Sequence, residues 1–438
     1  RKITAAYPNQ IILIKRDVNV DGLLNYPFNE ILIEDTNEMN NALHSNIISE
    51  YINDAVVKVG LQPKSSKHYD LLRKGLDLVK DIYPDISIDE NETSRMFFLH
   101  ASGELQLDVL LFELRYFYMC YYDRDITDFI EIKSTANLIT NFREGCSVES
   151  FASIPTPPKD FNVSIVATPL GDDLSKAISE KTFSPSKLLA EGNLSELSST
   201  LRKAYKWESG MARSVISISN TVFLVNDILL EDLDTELFEK VRHVIIEAFE
   251  EVSEKGPLAE ELIHNTIFKL MSLEKIGDEE LQEDLALLKE SLKNAFKIAL
   301  LSAKPILYEP YYEFSIITNT DFTRNIEYVL RKRRGCEISD IREIAGSKLF
   351  EIQGTVPCID SSGLNVDLLL VSNGSCIYQT NTMSKAWYRV EGDVMDVNIE
   401  LSKIEPAKGS ALGRDFLMKT RKRKDIESTI SSMNDVGP

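Results

Sequence analysis

Two clusters of cations are the residues of this chain whose type and spacing suggest chemistry, and that chemistry is anion recognition rather than bond making. Arg331, Lys332, Arg333 and Arg334 are consecutive, and Lys419, Arg421, Lys422, Arg423 and Lys424 crowd the segment 419–424. Guanidinium and ammonium groups at that density hold phosphate or carboxylate. The first cluster falls where a helix is expected to end, so a solvated cap complementing the helix macrodipole is one reading and partner contact the other. The second suits RNA phosphate, an acidic protein groove or a nuclear import receptor.

Constellations for catalysis do not emerge from the sequence. The histidines His44, His68, His100, His243 and His264 show no H-x-x-x-H or H-E-x-x-H spacing, so structural or surface roles are expected and no metal site. Ser102 and Asp108 flank Glu104 without a partnered histidine, and no triad is expected. No G-x-x-x-x-G-K-[ST] loop occurs, so this segment does not hold a nucleotide in the usual way. Cys120, Cys146, Cys336, Cys358 and Cys376 are scattered, odd in number and free of C-x-x-C spacing. They read as reduced thiols in a cytosolic or nuclear compartment.

Positioning these groups requires a scaffold, and the sequence offers one unit twice, over residues 55–122 and 309–387. In each, an apolar extended segment leads into an amphipathic helix, two strands follow, and a second helical segment opens after Gly103-Glu-Leu105 or Ile359-Asp-Ser-Ser-Gly363. That is the order of a split βαβ, ferredoxin-like domain. Behind Ser66 as a cap, Tyr69, Leu72, Leu76 and Val79 line one helical face; in the second copy Thr320 or Asp321 is the cap, Phe322, Ile326, Val329 and Leu330 face inward, and Gly335 closes the helix. Residues 348–357 alternate apolar Phe350, Ile352 and Val356 with more polar positions, as a half-covered strand does.

Between the copies lies a segment of mixed character. Strands are expected near 163–167, 215–218 and 222–225; a helix over 234–251 places Leu237, Val241, Val244, Ile245 and Ala248 on one face, and a helix over 281–300 does so with Leu281, Leu285, Leu288, Leu292, Phe296 and Ala299. Trp207 is expected in a core and Arg213 in a buried pair. Further strands are expected at 10–14 and 30–33, a strand-like return at 394–401, and a mobile end over the last residues. With 438 residues and a 43% hydrophobic fraction, the chain should form several domains. The expected boundaries are the end of a β-barrel at 1–52, a ferredoxin-like domain at 53–125, an α+β domain at 126–302, a second ferredoxin-like domain at 303–405 and a basic tail at 406–438. A net charge of −20 argues against a surface that coats nucleic acid as a whole, and no run of apolar residues is long enough to span a membrane. Because the chain opens at Arg1 inside a strand-like stretch, it is expected to be part of a longer protein.

Gly103-Glu-Leu-Gln-Leu-Asp108, Gly256-Pro-Leu-Ala-Glu-Glu-Leu262, Tyr308-Glu-Pro-Tyr-Tyr312, Leu330-Arg-Lys-Arg-Arg-Gly335 and Ile359-Asp-Ser-Ser-Gly363 occur in a telling order. In that order they resemble the C-terminal half of the elongation factor 2-like translocation GTPases, over nearly the whole chain. Glu261-Leu-Ile-His-Asn265, the pair Tyr311-Tyr312 and Asp415-Phe-Leu-Met-Lys-Thr-Arg-Lys-Arg-Lys424 look most like the spliceosomal branch, the GTPase of the U5 small nuclear ribonucleoprotein. Ala101-Ser102 and Asp425 depart from the family pattern and mark a divergent member. In the translocase a tip loop carries a modified histidine into the ribosome; the matching stretch here has no histidine and holds Asp278, Glu279, Glu280, Glu283 and Asp284, which rRNA phosphates would repel.

The resemblance implies the end of domain II followed by domains III, IV and V, an α+β multidomain architecture of the elongation factor 2/G type. It also implies a nuclear parent protein that acts in pre-mRNA splicing as a docking and conformational module. GTP or GDP with Mg2+ is then expected only in the N-terminal portion of that parent. The partners it implies are the central spliceosomal scaffold protein, the spliceosomal RNA helicase and U5 small nuclear RNA, with no membrane. The alternative is cytoplasmic translation elongation factor 2 or its ribosome-maturation paralogue.

Overall fold

A computed structural model describes residues 57–63, 68–83, 86–91, 95–118, 130–132, 139–151, 161–180, 182–229, 235–275, 281–396, 409–424 and 426. The strands expected at 10–14 and 30–33, the Ser66 cap, residues 278–280 and the end of the chain from 427 lie outside the described residues. The chain divides into two compact units, one formed by residues 1–55 with 59–136, the other by 56–58 with 137–438.

In the first unit, β1 (Val57–Pro63), α1 (Tyr69–Ile82), β2 (Ser87–Asn91), β3 (Met96–Ala101), α2 (Glu104–Glu113) and β4 (Ile130–Ile132) follow one another. Their sheet order is β2-β3-β1-β4, which sets the first strand between the third and the last, as a split βαβ fold requires. The stripe on α1 decides how that helix lies: Leu72, Leu76 and Val79 are buried, each contributing about 1.5–3 kcal/mol of apolar burial. Asp70 in the first turn and Lys80 in the last match the macrodipole, and the N-cap residue His68 makes no capping side-chain hydrogen bond. Tyr69 stacks on Phe97 at 4.9 Å and donates its hydroxyl to Glu90 at 2.6 Å, fixing the helix over β2 and β3.

The second unit opens with β5 (Ile139–Thr140) and β6 (Arg143–Cys146). A layer follows from β7 (Phe161–Pro169), the helices α3 (Asp172–Ser179), α4 (Pro185–Ala190), α5 (Leu194–Tyr205) and α6 (Ser209–Arg213), the hairpin β8 (Val215–Ser219) and β9 (Val222–Asn226), and α7 (Thr235–Glu254). Next come β10 (Leu262–Ile263), β11 (Thr266–Lys275) and α8 (Leu281–Ser302). The sheet β7-β11-β9-β8 pairs β11 parallel to β9 and antiparallel to β7. On one face α7 buries its expected stripe and α8 buries Leu288, Leu292, Phe296 and Ala299 with Leu285 half-buried, the side chain of Leu281 lying outside the described residues; Phe249, Phe268 and Phe296 meet edge to face or tilted at 5.0–6.3 Å. On the other face Trp207 packs against Phe223, as expected; Arg213 is exposed, so the buried pair expected for it does not form.

The second ferredoxin-like copy is β12 (Pro305–Asn319), α9 (Thr323–Lys332), β13 (Glu337–Glu343), β14 (Leu349–Pro357), α10 (Leu364–Val371) and β15 (Cys376–Arg389). It repeats the order of the first, with β12 antiparallel to both β14 and β15 and β13 paired to β14. Its sheet is larger than the repeat alone, because β6 pairs with the start of β12 and β10 pairs with β6. Ile326 and Leu330 are buried and Val329 is half-buried. Neither Thr320 nor Asp321 caps α9: both lie in a short 3-10 turn, Thr320–Phe322, and the Thr320 hydroxyl donates instead to the Lys348 carbonyl at 3.1 Å. The return expected at 394–401 is a turn at Val394, whose side chain is buried, and residues 397–401 lie outside the described residues.

The largest departure from expectation is at the C-terminus. Within the basic tail expected over 406–438, α11 (Leu412–Arg423) packs Leu412, Phe416 and Leu417 into a core with Phe142, Leu258, Leu301, Leu307, Val390 and Val394. The crossing is tight: Gly413 donates its N–H to the Glu391 carbonyl at 2.9 Å, and Gly392 lies so near Ser410 that a Cβ there would meet backbone. The sequence hid this because the apolar residues of α11 are few and are masked by the cations among them.

Candidate functional site

The two cation clusters are the starting point, and the fold divides each of them. In the first, Arg331 is exposed and lies 3.8 Å from Glu327 one turn earlier, while Lys332 sits over the Tyr328 ring at 4.2 Å. Arg333 turns inward and donates to the carbonyls of Asp360 at 3.2 Å and Ser362 at 3.0 Å, with its other arm on Asp367. Arg334 makes a fork on Glu309, both arms at 2.7 Å, and reaches Asp360 at 2.6 Å. Glu309 is buried, so this bidentate pair ties the end of α9 to the middle of β12 and to the Ile359-Asp-Ser-Ser-Gly363 turn.

In the second cluster, Arg421 is buried and donates to the Leu258 carbonyl. Lys424 donates to the carbonyls of Ala259 at 2.7 Å and Glu260 at 2.8 Å and pairs with Glu261 at 2.9 Å. Lys419 pairs with buried Asp415 at 2.6 Å. Arg421 and Lys424 latch α11 onto the Gly256-Pro-Leu-Ala-Glu-Glu-Leu262 loop, while the Lys419 pair lies within α11 and neutralises a buried carboxylate. Lys422 and Arg423 are exposed. Of the nine cations singled out in the sequence, Arg331, Lys332, Lys422 and Arg423 face outward; Arg333, Arg334, Lys419, Arg421 and Lys424 hold the fold.

Charge removal across the second cluster therefore reaches the fold as well as the surface. Replacing Arg421, Lys422 and Arg423 together by Ala should lower stability by about 1.5–3 kcal/mol, the scale of a charge-assisted hydrogen bond whose buried carbonyl is left unpaired. Lys422→Ala with Arg423→Ala should stay within about 0.5 kcal/mol of wild type, as exposed sites do. Urea titration of both variants separates the contributions; equal midpoints would mean that the Arg421 bond carries no weight.

The same loop encloses a carboxylate that sequence reasoning missed. Glu144 on β6 is fully buried, and its oxygens accept the N–H groups of Leu258 at 2.7 Å, Ala259 at 2.8 Å and Glu261 at 3.0 Å. Gly256 is required there, since a Cβ would stand 2.3 Å from a Glu144 oxygen. Burial pushes the Glu144 carboxyl up to about 7, against the downward pull of the three N–H groups. Next to it, Arg143 lies 4.0 Å over the Trp387 ring. Its guanidinium reaches His264 Nδ1 at 3.3 Å, Thr221 Oγ1 reaches the same nitrogen at 2.7 Å, and Ser175 Oγ lies 3.2 Å from Nε2. Burial, with Arg143 adding to it, holds the His264 pKa well below the usual value, so the ring is neutral and structural. No spacing in the sequence reveals this knot, because Arg143, Thr221 and His264 converge only across the sheets.

Comparison with known proteins follows the same lines as the fold. The family model described as elongation factor G C-terminus matches residues 306–398, which span the second ferredoxin-like copy. The chain is 35% identical over 404 residues to the pre-mRNA-splicing factor SNU114 of Saccharomyces cerevisiae, an alignment covering 89% of this chain and 39% of that protein. It is 28% identical over 384 residues to the 110 kDa U5 small nuclear ribonucleoprotein component CLO of Arabidopsis thaliana, covering 86% of this chain and 37% of that one. With elongation factor 2 of Pyrococcus furiosus the identity is 23% over 367 residues, 83% of this chain and 46% of that protein. The chain thus spans less than half the length of each of these relatives. In sequence this chain resembles the C-terminal half of splicing factors and U5 small nuclear ribonucleoprotein components, and its architecture is of the elongation factor 2/G type.

Proposed function

We propose that the chain is the C-terminal part of an elongation factor 2-like GTPase that acts in the nucleus, in pre-mRNA splicing, as a docking and conformational module of the U5 particle. The observation that carries this reading over the translational alternative is the difference in similarity: 35% identity to a splicing factor against 23% to elongation factor 2 over comparable lengths. The acidic residues Asp278, Glu279, Glu280, Glu283 and Asp284, where the translocase presents a histidine to rRNA, support the same choice.

In this proposal guanine nucleotide and Mg2+ belong to a portion of the parent outside this chain, whose sequence has no phosphate loop. Among the described residues no group of three or more His, Cys, Asp and Glu is placed to hold a metal ion, and no helix is long and apolar enough to cross a membrane. The ferredoxin-like bodies would pass a nucleotide-dependent rotation to the scaffold protein, the RNA helicase and U5 RNA as rigid-body movement. Arg331, Lys332, Lys422 and Arg423 are the cations of the two clusters left facing outward for acidic or phosphate partners.

The test is recovery of the tagged full-length parent from nuclear extract at several salt concentrations, with U5 RNA and rRNA counted in the eluate. Enrichment of U5 RNA over rRNA by at least about tenfold, falling with salt as charge contacts do, is the expected result. Cosedimentation with ribosomes in the absence of U5 RNA would replace this reading with the translational one.

A further inference from the structure

In the second unit, α10 is apolar on more sides than its own core uses. Leu364 and Leu368 are buried, yet Val366, Leu369 and Leu370 are 59%, 39% and 71% exposed. A helix with apolar residues around its whole circumference is one that is covered on both sides. The Arg333–Asp367 pair sets the end of α9 beside the first turn of α10, and the two helices pack together, so their exposed faces adjoin. α9 brings Tyr328, 62% exposed, with Lys332 over its ring at 4.2 Å, on the side opposite buried Ile326 and Leu330.

Charge narrows what covers this face. Arg324, Arg331 and Lys332 are all exposed along α9. The carboxylates of the two helices are Glu327, 3.8 Å from Arg331, and Asp367, already paired with Arg333. An apolar patch with a cationic rim, on a chain whose net charge is −20, complements an acidic partner.

RNA fits the rim but not the centre, because Val366, Leu369 and Leu370 are aliphatic and give unstacked bases no ring or guanidinium plane to lie on. A second copy of the chain would set the same cations against each other across a twofold axis. Among protein segments a helix fits best. The backbone N–H and C=O groups of α9 and α10 are used within those helices, so an extended segment would find no ladder partner here, whereas a helix satisfies its own backbone.

We propose that the adjoining outer faces of α9 and α10 dock an amphipathic helix of a protein partner, its apolar stripe on Val366, Leu370 and Tyr328 and its flanking Asp or Glu side chains on Arg331 and Lys332. This rests on the docking role proposed above, and it assigns these two cations to an acidic protein rather than to phosphate.

A photoreactive p-benzoylphenylalanine at exposed Asn325, on α9 one turn before Tyr328, tests this in the full-length parent in cells. The expected adduct is a protein segment with apolar residues at i, i+3 or i+4 flanked by Asp or Glu. Leu370→Ser should lower the adduct at least about tenfold, the scale of burying one leucine, and Arg331→Glu with Lys332→Glu should do the same. Melting temperatures should not change, because all three sites are exposed. Should Leu370→Ser lower the melting temperature, Val366→Ser is read in its place. Changing the flanking Asp or Glu of the captured segment to Lys should restore the adduct to the charge-reversed protein. Adducts on RNA or on a second copy of the chain, a segment without that pattern, indifference to the serine variants, failure of the charge swap, or a yield no higher than from the same probe at exposed Lys240 would each overturn the docking surface. U5 RNA recovered from the same cells separates the two readings. Any of those failures with U5 RNA still enriched overturns this surface alone, whereas the expected adduct and rescue on a ribosomal protein uphold the surface and replace the splicing reading.

Discussion

Arg334→Leu should destabilise the protein by about 3–5 kcal/mol, the cost of removing one partner from a buried ion pair. The reason is the carboxylate left behind. Glu309 is 3% exposed in its side chain and has both oxygens on the Arg334 fork, and Asp360 loses the same cation. Leucine also abandons the contact between the guanidinium and the Phe416 ring at 5.4 Å, so α9, β12 and α11 lose a common tie. Arg331→Leu is the control, since Arg331 is 72% exposed and its ion pair with Glu327 is long. It should change stability by less than about 1 kcal/mol. Urea titration of both variants checks this. A loss under about 1 kcal/mol for Arg334→Leu would mean that the fork is dispensable and that Arg334 is free for a partner after all.

Glu144→Leu should be comparably severe, at about 3 kcal/mol or more, because it strands the N–H groups of Leu258, Ala259 and Glu261 at about 1–3 kcal/mol apiece. The loop that they belong to also receives Arg421 and Lys424, so undocking of α11 should accompany the loss, visible as fast amide exchange in residues 412–423.

Glu144 also predicts a pH dependence. Its folded pKa is raised to about 7 from 4.5, so the folded state holds the proton more tightly than the unfolded chain. Stability from this group is full below about 4.5 and is lost as pH rises through about 7, at about 1.4 kcal/mol per pH unit in between. The quantity to measure is the stability of wild type minus that of Glu144→Gln across that window, since the amide cannot titrate. A difference that declines as pH rises is expected; one that grows would show that the three N–H groups outweigh burial and keep the carboxylate charged.

These two residues illustrate where sequence reasoning held and where it stopped. The helix α1 was legible because Leu72, Leu76 and Val79 recur with the period of the helix, and a helix can bury such a stripe on only one side. The strand β14 was legible from the alternation that buries Ile352 and Val356. Both patterns are local and need no knowledge of what lies across the gap. Arg334 and Arg331 occupy one run of cations and look alike in sequence, yet one is forked on a buried carboxylate and the other is mostly exposed. Glu144 carried no signal, because a single Glu at the end of a short strand is as common on a surface as in a cradle.

The sequence by itself determined the repeated β-α-β-β order with a second helical segment after it, the apolar faces of the first helices and the family resemblance, since these reside in periodicity and in short contiguous motifs. Only the tertiary structure decided which cations face outward, that the basic terminus holds a packed helix, and that the Glu144 carboxylate is enclosed by the loop 256–262. The physical reason is range. Arg421 meets its carbonyl 163 residues away and Glu144 its N–H donors 114 to 117 residues away, and a charge is sorted into structural or exposed by partners that close in only when the sheets and helices have packed.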